Sequence, residues 1–196
     1  MARIVFAIVM GLCSLVAVAA PARAAEQYTI SFSTEYHGDV ILGGSVNAFT
    51  SVGFIVEGRN VFYELTPFVE DLSFTKGKMT TLGNRQCRST KGNSGNEVFL
   101  SYQMCLTVTQ QGDGSFKVTA ETTTSSIEMP NSPNASRIQA AHTETVQVTG
   151  GGSSCRVSLL SSGTSYKNDN PPLSYSVKGG KLGKVKCKVV AGKIGG

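Results

Sequence analysis

The sequence predicts an all-β chain: an antiparallel β-sandwich or small barrel-like domain of about ten strands, placed behind an N-terminal signal peptide. Three observations carry that expectation. Apolar and polar residues alternate at period two along most of the chain, the pattern of half-buried strands. Glycine-rich turns separate these runs at spacings of about 8–15 residues, as in sandwiches and barrels. No segment past residue 24 combines a 3.6-residue apolar recurrence with caps. Ser and Thr make up 39 of the 172 residues from Ala25 onward, and β-branched Thr favours strands over helices.

Taken in order, residues 1–24 have the form of a secretory signal. Arg3 gives the positive start, Ile4 to Ala20 form an uncharged apolar stretch, and Ala22-Arg23-Ala24 places small residues at −3 and −1 of a cleavage site after Ala24. The apolar stretch is too short and too interrupted, by Gly11 and Ser14, to suit a retained anchor. Residues 25–196 are then one domain, since this length suits a single core.

The first strand follows from Tyr28, Ile30 and Phe32 alternating with Thr29, Ser31 and Ser33. Further strands are expected over 39–43, 46–57, 60–66 and 72–82. The clearest is 97–109, with Val98, Leu100, Tyr102, Met104, Leu106 and Val108 on one face and Phe99 and Cys105 on the other. Gln111-Gly112-Asp113-Gly114 then makes a hairpin turn before Phe116, Val118 and Ala120 resume the alternation. Strands over 137–149 and 154–161 flank a second turn at 150–153. Two more are expected over 173–178 and 183–191. Segments 129–134 and 168–172 are loops by their Pro and Asn content.

Composition removes several classes. Charged residues are 16% and hydrophobic residues 40%, which excludes a charge-rich disordered chain. No run of about 20 apolar residues occurs past residue 24, so no helical membrane span is expected after signal removal. Charge is uneven. Residues 25–110 hold eight acids and six bases, whereas residues 111–196 hold five acids and ten bases.

With Cys13 removed alongside the signal, four cysteines remain: Cys87, Cys105, Cys155 and Cys187. An even count in an exported chain points to two disulfides. The pairing 87–105 and 155–187 is favoured, because each closes a short loop between neighbouring strands. Cys155, Val157 and Leu159 share one face, as do Val185, Cys187 and Val189, so the second bridge is expected to be buried. Cys87 lies among polar residues, so the first is expected to be the more exposed. No C-x-x-C pair is present for a zinc site.

The most informative functional feature is the last strand. Lys184, Lys186 and Lys188 alternate with Val185, Cys187 and Val189, so three ammonium groups share a solvent face about 6.5–7 Å apart. Lys181 extends the row, as does Lys193. Such a row suits an anionic envelope polymer or another protein. It also suits an edge strand whose lysines block strand-to-strand association. Aromatic residues do not interleave with it, which disfavours nucleic acid.

Glu35, His37 and Asp39 would share a face on a continuous strand, but Gly38-Asp39 has the form of a turn. His142 and Glu144 share a strand face too, and are expected to sit in solvent past the end of the core. Only if His37 and His142 converged would a metal-assisted hydrolase be possible. No G-x-S-x-G nucleophile motif occurs. A small outer-membrane β-barrel is a further alternative, opposed by the bridged cysteines and by a last strand alternating Lys with Val. The expectation is therefore an exported, periplasmic or secreted, monomeric β domain that acts by binding, with no cofactor, no metal and no catalytic residues.

Overall fold

A computed structural model describes residues 25–38, 41, 44–65, 78–151 and 154–191. The signal segment 1–24, most of the strand expected over 39–43, residues 72–77 of another, and Lys193 lie outside the described residues. The described chain is almost entirely strand: β1 Glu26–His37, β2 Ser45–Glu57, β3 Asn60–Leu65, β4 Lys78–Thr81, β5 Gln86–Ser94, β6 Glu97–Gln110, β7 Phe116–Glu128, β8 Ser136–Gly151, β9 Ser154–Asp169, β10 Pro172–Lys178 and β11 Lys181–Ala191. All join one antiparallel sheet in the order β4-β3-β2-β1-β11-β9-β8-β7-β6-β5, with β10 also on β9.

The sheet curls without closing. Its two edges are β4 and β5, which are consecutive in the chain and joined by only residues 82–85. So short a link holds those strand ends within about 18 Å. Hydrogen bonds hold the link on both sides: Leu82 N–H donates to Arg59 C=O at 2.9 Å, and Gly83 N–H to Val108 C=O at 2.7 Å.

Apolar side chains face the inside of the curl. Tyr28, Ile30 and Phe32 of β1, Val52 and Phe54 of β2, Met104, Leu106 and Val108 of β6, Val118 of β7 and Val146 and Val148 of β8 form one core cluster. Tyr28, Phe54 and Phe116 meet across the interior, with ring centroids 5.0–5.8 Å apart. Gly150 makes room for this trio, since a Cβ there would stand 2.8 Å from Tyr28 Cε1.

β6 departs from simple alternation. Its register slips between Phe99 and Ser101 against β7, a bulge that inserts one residue and exchanges faces beyond it. Phe99 is therefore buried and Leu100 is exposed, the reverse of the expected assignment. β9 runs on through 161–169 as strand, so the loop expected over 168–172 shrinks to a tight turn at 170–171.

β10 and β11 follow one line along β9. Leu173 to Lys178 pair with Asn168 to Gly163. Gly179 and Gly180 then interrupt the line, and both N–H groups donate to Ser162, to its carbonyl and its Oγ respectively. Beyond them β11 swings onto β1, pairing from Glu35↔Lys181 to Glu26↔Ala191. Among the described residues it keeps a single ladder pair with β9, Lys188↔Ser154.

Both expected disulfides form. Cys87–Cys105 links directly opposed residues of β5 and β6. Cys155–Cys187 spans β9 and β11 beside the Lys188↔Ser154 ladder pair. Burial runs against expectation: Cys105 is 1% exposed, while Cys155 and Cys187 are half-buried.

Candidate anion-binding face

The lysine row depends on how β11 lies against β1. Val189 is buried and Cys187 half-buried, and period two sends Lys186 and Lys188 outward. Register shifts between Phe32 and Thr34 of β1, where Val185 and Leu182 are their partners. That bulge resets the faces, so Leu182 packs on the core while Lys181 and Lys184 stay exposed. Lys184 N–H donates to Ser33 Oγ at 3.1 Å, fixing the bulge to β1. All four predicted lysines thus lie on one outer face.

Their neighbours on β1 are mostly uncharged. Thr29 opposes Lys188, Ser31 opposes Lys186, and Glu35 opposes Lys181. On the other flank, the Lys188↔Ser154 pair and the 155–187 bridge bring the start of β9, with Arg156 next along it, beside this part of β11. Arg156 is also exposed. Like charges gathered on one face are unfavourable until an anion sits among them. In the strand order β11 lies between β1 and β9 and is not a terminal strand, although among the described residues its flank toward β9 is laddered at Lys188↔Ser154 alone. Arg156 was not legible as a member of the row, because only the β9–β11 contact brings it there.

The histidines do not meet. His37 points outward, with a side chain 55% exposed, and sits 3.3 Å from Glu35. Tyr36, its chain neighbour, faces inward and is fully buried. His142 belongs to that inner side: Tyr36 Oη lies 3.4 Å from His142 Nδ1. His37 and His142 thus face opposite sides of the sheet. Among the described residues no group of three or more His, Cys, Asp or Glu side chains could share a metal ion.

The expectation that His142 and Glu144 sit in solvent is overturned. Glu144 is 1% exposed. Thr50 Oγ1 donates to Glu144 Oε2, and His142 Nε2 lies 2.8 Å from Glu144 Oε1. That close pair is misaligned for a hydrogen bond, and both atoms, with Thr34 Oγ1, lack an aligned partner. Burial pushes the Tyr36 phenol far above its ordinary range; a Ser162 hydrogen bond opposes this and the Glu144 charge adds to it. The packing is tight, since a Cβ on Gly180 would stand 2.5 Å from Thr34 Cγ2 and 2.9 Å from Tyr36 Cε1. Glu144, His142 and Tyr36 form a line in which Tyr36 and Glu144 are fully buried and the His142 side chain is 15% exposed. The cluster ties β1 and β2 to β8 and β9 from within. Its burial rests on contacts with Thr50 and Tyr36, about a hundred residues away in sequence, which strand alternation does not encode.

Among the described residues, no helix is long and apolar enough to cross a membrane. Comparison with known protein families, characterised proteins and solved structures finds no match for the chain.

Proposed function

We propose that the protein is an exported, periplasmic or secreted, binding domain that holds an anionic polymer of the cell envelope on the outer face of β11, β1 and β9. One observation carries this: Lys181, Lys184, Lys186, Lys188 and Arg156 share one exposed surface, and Glu35 is the only acid among the β1 positions paired with it. Five cations close together raise the local concentration of any polyanion, more so at low salt. The two disulfides favour an oxidising compartment. An apolar interior and a hydroxyl-rich exterior favour a domain in water over an outer-membrane barrel, whose apolar band faces outward.

The test is salt-gradient retention on a carboxylate or sulfate matrix. Lys184→Glu/Lys186→Glu/Lys188→Glu should elute at much lower salt than the wild-type protein. Equal elution of the two would remove the face from the site.

A further inference from the structure

The outer face carries a second feature, continuous with the lysine row. A shallow cavity of about 700 Å³ lies across β6 to β10. Its lining includes a ladder row that crosses five strands: Ser101, Ser125, Gln139, Lys167 and Ser174, each opposite the next. A second row, Thr123, Ala141, Ser165 and Ser176, runs beside it. The polar side chains of both rows make no hydrogen bond with another group among the described residues, so their donors and acceptors are free for a ligand. A second cavity, of about 420 Å³, shares Ala141, Ser165 and Ser176 and adds Lys178. From Lys178 the β10–β11 line passes through two glycines to Lys181.

We infer that this groove extends the anion-binding face and that the polymer is a carboxylated polysaccharide, an inference resting on the function proposed above. Two properties select that class. Lys167 and Lys178 lie four residues apart along the strand direction, about 13 Å, with Ser165 and Ser176 between them. A ligand matching this has single negative charges separated by its own hydroxyl groups. A polyphosphate or a polyacidic peptide has no hydroxyls to offer the serines. A sugar acid supplies both the carboxylate for each lysine and hydroxyls that donate to and accept from Ser, Thr and Gln.

The experiment titrates the full chain with polygalacturonate and, at matched charge, with polyglutamate. The wild-type protein should bind polygalacturonate more tightly. Ser165→Val/Ser176→Val keeps strand propensity on an exposed face and removes two hydroxyls, so it should weaken polygalacturonate about tenfold and polyglutamate by less than about twofold. Ser165→Thr/Ser176→Thr, which restores the hydroxyls, should bind polygalacturonate like the wild-type protein. Equal wild-type affinity for the two polymers, no effect of the valine pair, or an equal loss on both would overturn the glycan assignment and leave the basic face standing. If the Lys184→Glu/Lys186→Glu/Lys188→Glu protein binds both polymers unchanged, the proposed function itself falls. Circular dichroism of each variant confirms that its sheet is intact.

Discussion

The sheet has two unlike parts. From β5 to β9 it is a meander of long hairpins whose neighbours ladder along nearly their full length, thirteen residue pairs between β7 and β8 alone. The block of β1, β2 and β11 is equally well laddered inside. Between these parts, however, β11 and β9 share one pair. Cross-links do there what a ladder does elsewhere: the 155–187 bridge, the Tyr28–Phe54–Phe116 trio at one end of the interior, and the Thr50–Glu144–His142–Tyr36 cluster at the other. The cationic face straddles this joint, with lysines on one side and Arg156 on the other. Stability of the joint and geometry of the site are therefore the same problem.

Breaking the interior cluster should have the largest effect. Glu144→Gln removes the carboxylate that Thr50 and His142 face in the core, and should cost about 3–5 kcal/mol, measured by urea unfolding. Next come the disulfides. Chain entropy assigns about 3.7 kcal/mol to the loop of separation 32 and about 3.2 kcal/mol to the loop of separation 18. The two should differ more in kind than in size. Cys155→Ser/Cys187→Ser should speed hydrogen exchange throughout β11, whereas Cys87→Ser/Cys105→Ser should leave β11 protected, because only the first lies on the sparse seam. Gly180→Ala forces a methyl against Thr34 and Tyr36 and should cost about 1–3 kcal/mol.

Alkaline pH sharpens the comparison without a mutation. Burial raises the Tyr36 phenol, and to a lesser degree Tyr166 and Tyr175. A raised phenol stabilises the fold fully below the unfolded tyrosine value, about pH 10, and that stability is lost as pH rises past it. Thermal midpoints should fall above about pH 10, and Tyr36→Phe should flatten the decline. The smallest effect belongs to the surface: Lys184→Glu/Lys186→Glu/Lys188→Glu should change stability by less than about 0.5 kcal/mol per site, while altering binding.

Much of the meander was legible, because β6, β7 and β8 alternate apolar and polar residues against a one-sided core. The cysteine pairing was legible for the same reason, as shared faces placed Cys155 and Cys187 together. β5 was not: Gln86–Ser94 is an edge strand with few apolar residues to reveal it. The end of β9 was missed because Ser161 to Asp169 is rich in Ser, Gly and Thr and takes its strand form from β8 and β10. The bulge at Leu100 could not be read from a pattern that continues unbroken through it. For the site, alternation sufficed to place Lys184, Lys186 and Lys188 outward. Arg156 and the groove required the strand order, because both arise from residues on different strands.

The most direct test of the basic face is to locate a bound polyanion by hydrogen exchange or by amide shifts. Protection or shifts should concentrate on 181–188, on Arg156 and on the paired β1 residues 29–35, and should fade as salt rises. Changes confined to the β4 or β5 edge, or spread evenly over the surface, would contradict the account.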